Sequence, residues 1–312
     1  MIKYYRTMDH QIHEISEPME GTWISLIHPT AAELAKIATD YKIDIDDLRA
    51  PLDEEERSHI EVEEGYTLFI VDVPTTEERK EKEYFLTIPC GIILTEKVII
   101  TVCLEDTAVL SDFKNGRVRN FWTFKRTRFI LQILYRNASL YLQYLRIIDK
   151  KSDEVEKKLH ISQRNQELIE MLDLEKSLVY FTTSLRGNEV VLEKLMRNTS
   201  IPRYEDDEEL LEDVIIENKQ AIEMAKIYSD ILSGTMDAFA SVISNNLNIA
   251  MKFLSVITIV LTVPTIVTSA LGMNVSGIPF ANNPYGFWIV VGISLLMTLA
   301  AGAIIAKNKH FK

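Results

Sequence analysis

The feature that most constrains this chain is a polar seam that runs on through an apolar, uncharged stretch. Asp230, Gly234, Asp237, Ser241, Ser244, Asn248, Met251, Ser255, Thr258, Thr262, Thr265, Ser269 and Gly272 follow one another at spacings that alternate between four and three without a break. On a helix this stacks them on one face with a heptad period. Nearly all are small or polar. Yet residues 253–271 carry no charge, and a helix of about 20 apolar residues crosses a bilayer. A polar face inside a membrane needs water or a partner helix beside it. A symmetric ring of such helices around a wet axis supplies both, and that is the arrangement of an ion channel.

The charges divide the chain in the same way. Its 312 residues carry a net charge of −12, but no Asp or Glu follows Asp237. Lys252, Lys307, Lys309 and Lys312 are the only charges beyond it, so the first 237 residues carry −16. So acidic a body argues against nucleic-acid binding, which needs clustered Lys and Arg. It suits attraction of cations, or plain solubility. The first residues, MIKYYRTMDHQ, lack the apolar core of a cleaved signal peptide. Cys90 and Cys103 are the only cysteines, which suggests a reducing compartment and no disulfide framework.

Residues 1–118 read as a cytoplasmic α/β domain. Strands are expected at 23–27, 66–73, 91–94 and 98–102, with 75–83 as a charged hairpin-like connection. Thr30 and Glu33 form a capping-box pattern ahead of a helix at 31–41, and Asp44 or Asp46 starts another. Residues 119–200 read as two antiparallel helices, about 126–159 and 162–196, with Gly187 as a weak point. After Pro202, the acids Glu205, Asp206, Asp207, Glu208 and Glu209 open a very long helix. They either complement its dipole or bind metal. Residues 205–252 form a stalk helix that continues into a first membrane span at 253–271. From 208 to 271 a helix would measure about 96 Å at 1.5 Å per residue, longer than a small domain buries, so an oligomer is implied. A short uncharged loop (272–286), a second span (287–306) and a basic tail (307–312) complete the chain. Lysines flanking both spans place both termini in the cytoplasm and the loop outside, by the positive-inside rule. The fold class is thus an α+β cytoplasmic domain with a long helical stalk entering the membrane and two transmembrane helices.

Gly272-Met273-Asn274 stands where the first span ends, preceded by Leu232-Ser233-Gly234-x-x-Asp237 and Asn248-x-x-Met251-Lys252. This combination resembles the CorA family of magnesium and cobalt transporters, specifically over residues 205–312 and in architecture before that. The resemblance implies a homopentameric funnel in the cell membrane, moving Mg²⁺ down its electrochemical gradient, with Co²⁺, Ni²⁺ and Zn²⁺ as further candidate ions and no organic cofactor. It implies a selectivity filter at Gly272, Met273 and Asn274. It places Asn248, Met251, Leu254, Thr262 and Thr265 along the pore, beside the seam residues Ser255, Thr258 and Ser269. Met251 and Leu254 would form a hydrophobic constriction. It also implies closure by intracellular Mg²⁺ bound between protomers at Asp213 and Asp237, with Glu77 or Glu78 as partner carboxylate. The sequence departs from the family in having Leu271 rather than an aromatic residue before the motif, and no acid in 275–285.

Other readings stay open. The seam hydroxyls could bond their own or a neighbouring helix, and Asp213 could lie on a solvated face. Zinc or broad divalent transport within the same superfamily is an alternative. So is a membrane-anchored scaffold with a coiled stalk. The six histidines are scattered, and there is no phosphate loop or nucleophile elbow, so no enzyme is expected.

Overall fold

The computed structural model describes residues 1–79, 82–162, 165–198, 201, 204–273, 278–279 and 283–307. The chain forms two compact units, Met1–Met236 and Asp237–Lys312.

The first unit is built on a seven-stranded sheet of order β2-β1-β3-β7-β6-β5-β4. The strands are β1 (Ile2–Met8), β2 (Gln11–Ile15), β3 (Trp23–Ile27), β4 (His59–Glu63), β5 (Tyr66–Arg79), β6 (Lys82–Thr95) and β7 (Ile99–Cys103). Among the described residues only β3 and β7 pair in parallel. Side chains alternate between two cores, as the period of two requires. Ile24, Leu26, Ile70, Ile93, Ile100 and Val102 face one core with Leu34 and Ile37 of α1 (Ala31–Tyr41) and Leu48 of α2 (Ile45–Arg49). Trp23, Phe69, Val71, Ile92 and Ile99 face the other. There they meet α3 (Ala108–Lys114), α4 (Arg126–Ser162), α5 (Asn165–Arg197) and the opening turns of α6 (Glu205–Leu271).

Trp23 is the centre of this second core. It is fully buried, its ring lies 5.1 Å from Tyr5 and 5.2 Å from Phe129, and its indole N–H donates to Thr101 Oγ1 at 2.9 Å. Cys90 and Cys103 face each other across β6 and β7, both wholly buried as free thiols. The adjacent Cys90 thiol, together with burial, pushes the Cys103 thiol well up from its ordinary value.

Several local signals act as written. Thr30 and Glu33 close a reciprocal capping box on α1, and the Asp44 side chain caps α2. The charged stretch 75–83, expected as a connection, instead belongs largely to the ladder. β5 and β6 stay paired from Tyr66–Thr95 out to Arg79–Lys82, well past the ends of β4 and β7. What holds the outer half is Phe85, which is buried against Tyr144 of α4 and Phe181 of α5.

Where β5 outruns β4, Asn188 of α5 takes the place of a strand. Its Oδ1 accepts the Asp72 N–H at 2.9 Å and its Nδ2 donates to the Asp72 carbonyl at 2.8 Å. Asn137 Nδ2 (2.8 Å) and Tyr141 OH (3.2 Å) donate to the same carbonyl. Gly187 permits this approach, since a Cβ there would stand 3.1 Å from Ser58 Oγ. Glycine, a weak point in the helix by propensity, is thus what lets α5 seat on the sheet edge.

The second unit holds the C-terminal part of α6 and α7 (Gly286–Lys307). Both helices are apolar and long enough to cross a membrane. Pro264 lies inside α6 without ending it. The stalk and first span expected at 205–271 are one continuous helix.

Candidate ion pathway and metal sites

An unbroken α6 keeps the seam in register. Ser255, Thr258, Thr262, Thr265 and Ser269 are exposed, as are Asn248, Met251 and Leu254. Within 253–271 the half-buried residues are Val256, Val260, Val263, Pro264, Val267 and Leu271. These two sets repeat with the same period, offset around the helix. At about 100° per residue the hydroxyl set and the covered set are centred roughly 180° apart. The hydroxyls thus lie within the exposed surface of the span, which also carries Phe253, Ile257, Ile259, Leu261 and Ile266, and the proline lies on the covered face.

The hydroxyls have a common orientation. Ser255 donates to the Met251 carbonyl at 2.8 Å, Thr258 to Leu254 at 2.8 Å, Thr262 to Thr258 at 2.6 Å and Thr265 to Leu261 at 2.8 Å. Each bond runs back four residues along the same helix, a usual way for Ser and Thr to sit in a helix interior. Sequence spacing locates these oxygens but carries no information on where their protons point. A hydroxyl has one proton and two lone pairs. Once the proton is committed to the backbone, only acceptor capacity faces outward.

At the end of the span the Gly272 N–H donates to the Thr268 carbonyl at 2.9 Å, closing the helix. A Cβ at Gly272 would stand 3.0 Å from that oxygen. Met273 follows, exposed. Asn274, the third residue of the expected filter, lies outside the described residues.

The expected regulatory carboxylates are not brought together within the chain. Asp213 and Asp237 are both exposed on α6; Asp213 points away from the core face made by Leu211 and Val214. Glu77 is held by Arg79 at 2.5 Å, and this hydrogen bond keeps its carboxyl below the usual range. Glu78 is exposed on the same strand. Among the described residues no group of three His, Cys, Asp or Glu is placed to hold a metal. Of the acids that open α6, Asp207 is buried, pairs with Arg128 at 3.4 Å and accepts the Tyr204 N–H at 3.3 Å. Its role is to anchor the helix start.

A family profile described as CorA-like Mg2+ transporter protein matches residues 19–307. The chain belongs to this family. The "Cobalt/magnesium transport protein CorA" of Methanocaldococcus jannaschii is 29% identical over 302 residues, covering 94% of this chain and 92% of that protein. The complete structure of the CorA magnesium transporter from the same organism superposes with a TM-score of 0.84 at 25% identity, covering 99% of this chain and 98% of that one. The ZntB cytoplasmic domain from Vibrio parahaemolyticus shares the fold alone, with a TM-score of 0.60 at 10% identity over 79% of this chain. The profile match, residues 19–307, extends over both apolar helices and the whole seam.

Proposed function

We propose that this CorA-family chain forms a homopentameric membrane channel for Mg²⁺, with Co²⁺, Ni²⁺ and Zn²⁺ as lesser candidates. Five copies of the first span surround the axis, and Asn274 lies at the outer mouth beside Gly272 and Met273. The observation that carries this reading is the unbroken hydroxyl seam, set opposite the covered face of the same span. A lone anchor would have no use for a polar face there. Both termini lie in the cytoplasm and the 272–286 loop outside. No catalytic step and no organic cofactor are involved.

The residue chemistry suits a hydrated divalent ion. Mg²⁺ gives up water reluctantly, and neutral oxygens bond its hydration shell without stripping it. Fixed carboxylates in the pore would hold the ion too tightly to release it. Inward movement gains about 4.6 kcal/mol per 100 mV of inside-negative potential, twice the value for a single charge, so no nucleotide is required. Met251 and Leu254 form the apolar constriction that gates by dewetting.

The direct test is Mg²⁺ uptake into proteoliposomes with an internal dye and an imposed inside-negative potential. Rapid uptake supports the channel; uptake equal to that of empty liposomes, with internal Mg²⁺ chelated, leaves the membrane-anchored scaffold. Competition by Co²⁺ and Zn²⁺ in the same assay separates the magnesium reading from a zinc or broad divalent one.

Intracellular Mg²⁺ closes the channel through Asp213 and Asp237. Exposed single carboxylates fit a site completed by a neighbouring chain, where a divalent ion offsets repulsion between facing acids. Glu77 fits poorly as that partner because Arg79 already holds it; Glu78 is the better of the two. With Asp213→Asn, the internal Mg²⁺ concentration for half-inhibition is expected to rise about tenfold, the equivalent of about 1.4 kcal/mol. Uptake with a chelated interior should stay near wild type. An unchanged inhibition curve would remove Asp213 from the regulatory site.

A further inference from the structure

We infer that Thr258, Thr262 and Thr265 discriminate cations from anions by hydrogen-bond polarity, without any charge in the pore. This rests on the pore reading above and adds the basis of its selectivity. The three hydroxyl protons are bound to the carbonyls of Leu254, Thr258 and Leu261 at 2.8, 2.6 and 2.8 Å. The seam therefore presents lone pairs and no O–H donor at these levels.

Water around a cation turns its oxygen inward and its hydrogens outward. Those outward hydrogens find acceptors on the seam. Water around an anion is reversed: one hydrogen turns inward, leaving a single hydrogen and both lone pairs outward, so it offers these acceptors half as many donors. The same ring of hydroxyls thus matches a hydrated cation better than a hydrated anion. Residues 253–271 carry no acid that could do this by charge. The arrangement also explains why threonine serves at these levels: a β-branched side chain has few rotamers in a helix, and its hydroxyl stays bonded to the backbone. An asparagine or glutamine in its place would add N–H donors to the lining.

The test uses the full-length protein in proteoliposomes and planar bilayers. Valine keeps the shape of threonine and removes the oxygen, whereas serine keeps the oxygen. The triple variant Thr258→Val, Thr262→Val, Thr265→Val is expected to lose about tenfold in Mg²⁺ uptake, equivalent to about 1.4 kcal/mol. Its reversal potential in a MgCl₂ gradient should move toward the chloride value. The corresponding triple serine variant should keep uptake within about twofold of wild type, or about 0.4 kcal/mol. Wild-type uptake and reversal potential in the valine protein overturn the inference. So does an equal loss in the serine protein, which would assign the effect to shape. If the triple valine protein does not assemble, Thr262→Val alone decides by the same reversal-potential criterion. A wild-type protein that conducts nothing fails the channel reading instead, so the two failures are distinct.

Discussion

Asn274→Ala is expected to reduce Mg²⁺ uptake roughly 10- to 100-fold and to let monovalent ions compete. In the pentameric reading, five amides at the mouth bond the outer surface of the hydrated ion. A hydrogen bond contributes on the order of 0.5 kcal/mol at the low end of the usual range, and five such losses reach about 2.5 kcal/mol. At about 1.4 kcal/mol per factor of ten, that is nearly two orders of magnitude. Initial uptake rates under an imposed potential, with and without a Na⁺ excess, measure both effects. Retained selective uptake in the alanine protein would move the filter away from the motif.

Trp23→Ala should damage the first unit more than any other single truncation. The indole is fully buried among Tyr5, Phe113, Phe121 and Phe129, and it satisfies Thr101. Removing a buried Trp costs about 3–5 kcal/mol through lost burial and the cavity left behind. For a unit of this size the apparent melting temperature falls by about 2–4 °C per kcal/mol, so a drop near 10 °C is expected. Thermal unfolding of the detergent-solubilised chain, followed by near-ultraviolet dichroism, reads it directly. A fall of less than about 3 °C, under 1.5 kcal/mol by the same relation, would mean that the core repacks around the gap.

What the sequence revealed depended on how local the cause was. The Thr30–Glu33 capping box spans four residues, and α1 forms where that pattern places it. The seam repeats along one helix, so its register could be followed residue by residue to Gly272. Strands β1, β2 and β4 are not legible in the sequence because their polar and charged residues, such as Lys3 and Arg6, His13 and Glu14, or Glu61 and Glu63, obscure the apolar alternation. The outer half of the β5–β6 hairpin is polar in sequence and is held by Phe85 against α4 and α5, a contact made far along the chain. Asn188 could not be recognised as a surrogate strand, because its role exists only where β5 outlasts β4. The hydroxyls of Thr258, Thr262 and Thr265 bond their own helix, one of the two partners that the sequence left open; the choice depends on side-chain torsions, which spacing does not encode. The partner of Asp213 was beyond reach for a different reason: in the regulatory reading it comes from another copy of the chain.

The burial of Cys90 and Cys103 makes the natural protein a silent background for thiol labelling. Both thiols are buried in the core on one face of β6 and β7, and a raised pKa keeps the Cys103 thiol protonated and slow to react. A cysteine placed singly at each position from 248 to 272 is then the sole accessible thiol, with no cysteine-free parent to build. Water-soluble methanethiosulfonates modify only wetted thiols. The rhythm of their modification along the helix would draw the boundary between water and lipid one residue at a time.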